Sequence, residues 1–149
     1  VEDGDRVMAG VGYLVNRETP VRIAERQDGP TFVFESGAGP TDPNLLLYDT
    51  ARHFGATGVG LLMSNQAEDL ESGLGELTNS GGLTLAQLPE TCIDATGPQM
   101  AVDQGLTQRT VVLNRLASEL SQTLALRSHR FDGTSPRDGG MDPWQTISC

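Results

Sequence analysis

The hydrophobic pattern changes period after residue 36. Residues 11–36 alternate apolar and polar positions in short runs: Gly12-Tyr13-Leu14-Val15, Val21-Arg22-Ile23-Ala24 and Thr31-Phe32-Val33-Phe34. Such two-residue alternation predicts strands, and Asp28-Gly29 between the last two runs is a hairpin signal. After the Gly-rich stretch 36–40 the spacing becomes helical. Asp42 is suited to cap a helix, Pro43 to occupy its first turn and Gly55 to end it, with Leu47, Ala51 and Phe54 on one face. Val59–Met63 is apolar throughout and predicts a buried strand. From Ser64 to Ala67 the chain turns toward a second helix with Leu70, Leu74 and Leu77 as its stripe, and Asn65 with Glu68 resembles a capping box.

Gly81-Gly82 stops that helix. Leu83–Gln87 predicts a second buried strand, Thr96 and Pro98 open a short helix that Gly105 ends, and Thr110–Leu113 predicts a third strand. Asn114 is placed to cap a last helix striped by Leu116, Leu120 and Leu124. Strand–helix alternation at this spacing predicts an α/β doubly wound domain with a mainly parallel sheet, preceded by an antiparallel hairpin unit. It occupies residues 1–127, and residues 128–149 form a polar tail rich in Gly, Pro and Asp, in which Trp144 and Cys149 are parts of an irregular end. Three parallel strands make a thin sheet, which predicts missing partners or an edge prone to association.

Composition narrows the function classes. With 149 residues and a net charge of −10, nucleic acid and anionic membrane surfaces are poor partners. No apolar run approaches the roughly 18 residues a membrane span needs, so no membrane insertion is expected. Two cysteines, Cys92 and Cys149, form no disulfide framework and fit a reducing cytoplasm. No phosphate-binding loop, dinucleotide fingerprint or metal-ligand spacing occurs, so no cofactor and no metal are expected.

Chemistry in open α/β sheets gathers at the carboxyl ends of the strands. The turn after Met63, Ser64-Asn65-Gln66-Ala67-Glu68-Asp69, is therefore the candidate site. By composition alone its carboxylates are residues of a helix start, favoured there by the helix dipole. Ser80, between Asn79 and Gly81-Gly82, looks like a glycine-flanked nucleophile but lies on a helix-to-strand turn, the wrong context. His53, in the last turn of the first helix, and His129, at the start of the tail, are not positioned as bases for a serine.

Several stretches in unbroken order resemble the CheB-type chemotaxis methylesterase domain. Glu2-Asp3-Gly4-Asp5-Arg6-Val7 with Gly10–Val15 is similar to an acidic family segment, and Ala51–Gly55 with Gly58–Leu62 to a helix–strand unit. Gly82–Gln87 with Glu90-Thr91-Cys92 is similar to a further strand and its turn, Gly97-Pro98 stands where the family has Met-Pro, and Val111–Leu113 matches a final strand. The likeness runs from Glu2 to about Leu124 and implies an incomplete methylesterase-like domain. The family hydrolyses glutamyl methyl esters on methyl-accepting chemotaxis receptors with a Ser–His–Asp triad. Its serine and histidine precede the matched segment, so this chain alone is expected to lack both. Its aspartate lies in a glycine-rich loop after the central strand. A gap-free count places Asp69 there, with Ser64 and Gln66 lining the substrate pocket. The loop Asn65–Leu70 has lost the family's three glycines and its methionine, which favours a second reading, a non-catalytic methylesterase-like module that binds a receptor or signalling partner. An acidic α/β binding module of unrelated origin is the third.

Overall fold

The computed structural model describes residues 1–16, 18–36, 39–64, 70–131 and 147–148. Strands β1 (Val21–Arg26) and β2 (Gly29–Phe34) form an antiparallel hairpin that pairs Val21 with Phe34 and Arg26 with Gly29. Gly29 closes the turn at φ 106°, a conformation that a side chain would strain. The expected strand at Gly12–Val15 does not form. Residues 4–7 already occupy the outer edge of β2: Gly4 N–H donates to Phe32 O at 2.9 Å, Phe32 N–H to Asp5 O at 2.8 Å and Val7 N–H to Pro30 O at 2.9 Å. Residues 12–15 are left without an edge to pair with, and they contribute side chains instead. The Tyr13 ring lies 5.0 Å from that of Phe32, and Val15 packs on the hairpin core.

Helix α1 (Pro43–Phe54) starts and stops as its sequence predicts. Asp42 accepts a hydrogen bond from Asn44 N–H at 2.9 Å, and Gly55 takes the cap position at φ 49°. Strands β3 (Val59–Leu62), β4 (Leu83–Gln87) and β5 (Arg109–Val111) lie parallel in the order β5-β4-β3, and the two-residue β6 (Ile147–Ser148) pairs parallel with the other side of β3. The last expected strand is displaced. It spans Arg109–Val111 rather than Thr110–Leu113, because Leu113–Arg115 turns into a single 3-10 turn that leads into α4. Asn114 consequently sits inside that turn, and not at the cap.

Period-two alternation along β3 and β4 divides the core into two layers. Leu62 and Ala86 face α1, α2 (Glu71–Asn79) and α3 (Thr96–Asp103), where Leu47, Ala51, Leu70, Leu74, Leu77 and Ala101 complete one buried cluster. Val59, Leu61, Leu83 and Leu85 point the other way and pack with Val111 and with Leu120 of α4 (Leu116–Phe131). Both sheet faces are thus covered, the doubly wound α/β arrangement. A third cluster, Val7, Val21, Ile23, Phe32 and Phe54, joins the hairpin to α1.

Two sequence expectations concern helix boundaries. The described part of the second helix begins at Glu71, with Leu70 in the cap position and no side-chain cap of its own, while the Asn65–Glu68 capping box lies outside the described residues. Helix α4 runs to Phe131, past the expected domain boundary at 127 and through His129; Trp144 and Cys149 lie outside the described residues.

Candidate functional site

The carboxyl ends of β3 and β4 are tied into one rim. Gln87, the last residue of β4, is buried, and its Oε1 accepts a hydrogen bond from Ser64 N–H at 3.2 Å. Its Nε2 donates to Thr91 O at 2.9 Å, which fixes the short 3-10 turn Pro89–Thr91. A side chain with a donor and an acceptor at opposite corners can bridge two loops in this way, and burial of both groups makes each bond costly to lose.

Ser64 completes the connection. Its Oγ donates to Asp94 O at 3.1 Å, and Asp94 N–H donates back to Ser64 Oγ at 2.8 Å. This reciprocal latch holds the loop after β4 against Ser64, the second residue after β3. The hydroxyl proton is thereby committed to a carbonyl, so Ser64 acts here as a fastener of the rim. Asp94 in turn accepts from Thr96 N–H at 3.0 Å and fixes the first turn of α3.

The first turn of α2, beyond that loop, is tied to α1. Asn44 Oδ1 accepts from Gly73 N–H at 2.6 Å, and Asn44 Nδ2 donates to Ser72 Oγ at 2.7 Å. Asn44 thus caps α2 from a neighbouring helix, replacing the side-chain cap that Leu70 cannot provide. The approach is close: a Cβ on Gly73 would lie 2.5 Å from Asn44 O and 2.9 Å from Leu47 Cβ.

Of the residues predicted for the site, Ser64 is at the rim, whereas Asp69 and Gln66 lie outside the described residues. Sequence reasoning missed Gln87, Asp94 and Asn44 as parts of the framework. A glutamine ending a mostly apolar strand was the one signal available. Cys92 lies on the rim as a free, half-buried thiol, its pKa raised by burial and then by the nearby carboxylates of Asp94 and Glu90. Ser80 accounts for itself structurally: it ends α2, its Oγ donates to Leu77 O at 2.8 Å, and Gly81 follows at φ 82°. His53 bridges to the hairpin through Ile23 O at 3.0 Å and Glu25 Oε2 at 3.2 Å, away from the rim. Among the described residues, no group of three or more His, Cys, Asp or Glu side chains is placed to hold a metal ion, and no helix is long and apolar enough to cross a membrane.

A parallel sheet covered on both faces, with latched loops at its carboxyl edge, defines an α/β domain of the kind that carries a site at its strand ends. The CheB methylesterase family model matches residues 1–120, and the chain belongs to that family. It is 29% identical over 126 residues to protein-glutamate methylesterase/protein-glutamine glutaminase 3 of Geobacter metallireducens, an alignment covering 79% of this chain and 34% of the relative. It is 31% identical over 130 residues to the corresponding protein 2 of Albidiferax ferrireducens, covering 83% of this chain and 37% of the relative. The chain therefore spans little more than a third of the length of these relatives. The fold is similar to that of the Thermotoga maritima CheB methylesterase catalytic domain, with a TM-score of 0.75 and 16% identity over 82% of this chain and 67% of that domain.

Proposed function

We propose that this chain supplies the carboxylate-bearing part of a protein-glutamate methylesterase that acts on methyl-accepting chemotaxis receptors in the cytoplasm. The observation that carries the reading is the family match over residues 1–120 combined with Ser64 at the carboxyl end of the central strand. Asp69, five residues on, is the carboxylate that would orient the histidine of a Ser–His–Asp triad, and Gln66 would line the pocket with Ser64. Such a triad needs a serine and a histidine that the family carries ahead of the matched segment. On its own, the chain is proposed to bind the esterified receptor segment without turning it over.

The loss of glycines in Asn65–Leu70 favours a second reading, a methylesterase-like module that recognises receptor helices without catalysis in any context. Methanol release separates the two. A receptor-derived peptide bearing glutamyl methyl esters is incubated with this chain and, in parallel, with a longer protein made by placing the serine- and histidine-bearing segment of a family member ahead of it. Release by the longer protein, lost in Asp69→Ala, supports the esterase. Binding without release by both supports the module, and neither binding nor release sinks both readings.

A further inference from the structure

A cleft of about 480 Å³ lies between β5, the edge strand of the described sheet, and the first turns of α4. Its lining is Arg109, Arg115, Ser118, Glu119, Gln122 and Thr123, and none of the residues that build the Ser64 rim takes part in it. Arg109, at the start of β5, reaches α4, where its Nη2 donates to Thr123 Oγ1 at 2.6 Å. That bond uses one of the five N–H donors of the guanidinium. Arg115 ends the 3-10 turn that leads into α4. Gln122 adds a side-chain amide, whereas the Ser118 hydroxyl proton is already given to Arg115 O at 2.8 Å.

Folding alone does not account for this arrangement. A cation at the start of a helix opposes the helix dipole, and two guanidinium groups lining one cleft repel each other. Arg22 is held by Asp49 and Glu35, but among the described residues neither Arg109 nor Arg115 forms an ion pair. Glu119 lines the same cleft without pairing with either of them. Two charged forks with most of their donors uncommitted match the oxygens of a phosphoryl group.

The net charge of −10 sets the size of the ligand. A polyanion or an anionic membrane meets the field of the whole chain, which repels it. A small anion meets only the charges within about 10 Å at 0.1 M salt, here two arginines against one glutamate.

We propose that the Arg109–Arg115 cleft is a binding site for a small phosphorylated molecule, whose phosphoryl oxygens are held by the two guanidinium groups and the Gln122 amide. Glu119 accepts a hydrogen bond from a hydroxyl of the same ligand, so a phosphate ester that carries hydroxyl groups fits better than the bare ion. The inference is independent of the methylesterase reading.

The test follows the side-chain amide and guanidinium resonances of the isotope-labelled, full 149-residue chain. Inorganic phosphate, glycerol phosphate and chloride are titrated in turn at matched ionic strength. The two phosphates are expected to shift the Gln122 and Arg109 signals saturably, glycerol phosphate with the higher affinity, and chloride to leave them in place. Arg109→Gln and Arg115→Gln should each weaken phosphate binding about tenfold, with unchanged circular dichroism. Arg109→Lys, which keeps the charge and loses the fork, should fall between Arg109→Gln and wild type. Glu119→Ala should tighten inorganic phosphate and remove the advantage of the ester. Arg52→Gln, at an exposed position of α1, should bind as wild type. Shifts no larger with phosphate than with chloride overturn the site, as does equal affinity in wild type, Arg109→Gln and Arg115→Gln. An ester that binds no more tightly than the bare ion overturns the role given to Glu119 and leaves a site for inorganic phosphate.

Discussion

Arg22 holds Asp49 at two points. Arg22 Nε reaches Asp49 Oδ2 and Arg22 Nη2 reaches Asp49 Oδ1, both at 2.7 Å, and Ile23 N–H donates to the same Oδ2 at 2.9 Å. The carboxylate is buried in α1 and the guanidinium reaches it from β1, so this pair fixes the hairpin against the helix. The Arg22 pKa is raised, first through its hydrogen bond to Asp49, against an opposing effect of burial. Asp49→Ala leaves a half-buried guanidinium and a buried amide without their acceptor. It should cost about 2–4 kcal/mol, measured as a lower urea midpoint, and Arg22→Lys should recover only part of the wild-type value because a single ammonium cannot make the two-point contact.

Asn44 caps α2 from outside that helix. Asn44→Ala should lower stability by about 1 kcal/mol and speed amide exchange at Gly73, whose N–H loses its acceptor. Gly73→Ala should be worse. Its Cβ would meet backbone at 2.5 Å, so the two helices must separate. A loss smaller than that of Asn44→Ala would show that the helix pair adapts easily.

Leu77 fills the space that three glycines leave. A Cβ on Gly58, Gly60 or Gly82 would lie 2.4–2.9 Å from its side chain, and the residue is fully buried. Leu77→Ala should cost about 3–5 kcal/mol through the cavity it opens. Gly60→Ala should also destabilise the chain, and the double variant should lose less than the two single losses added together, since the new methyl occupies part of the hole. Chemical denaturation of the four proteins checks this.

Cys92 ionises less readily in the folded chain than an ordinary thiol, because burial and two carboxylates disfavour its thiolate. The folded form therefore holds the thiol proton to higher pH than the unfolded form does. In a Cys149→Ser background, iodoacetamide should label native Cys92 more slowly than the urea-unfolded chain near pH 8, with the difference shrinking at higher pH. Glu90→Gln should raise the native rate. Equal native and unfolded rates across the pH range would contradict the assignment.

Much of the fold was legible from local chemistry. Asp42, Pro43 and Gly55 bracket α1 because capping and turn preferences act within a few residues. The two-sided burial of β3 follows from its uninterrupted apolar run, and the Leu74 and Leu77 stripe from helical spacing. The family resemblance likewise rests on order and spacing along the chain. Gly12–Val15 marks the limit of such reasoning: its alternation satisfies a strand, yet residues 4–7 take the outer edge of β2. The same holds for the rim. Ser64 could be named from its position after β3, but its partner Asp94 is thirty residues away, and Gln87, Asn44 and Arg22 act through contacts that no local pattern encodes. Propensity and period are properties of neighbouring residues, so the sequence by itself determined most of the strands and helices and their alternation. Which side chains meet there depends on how the elements pack, and only the tertiary structure decided that.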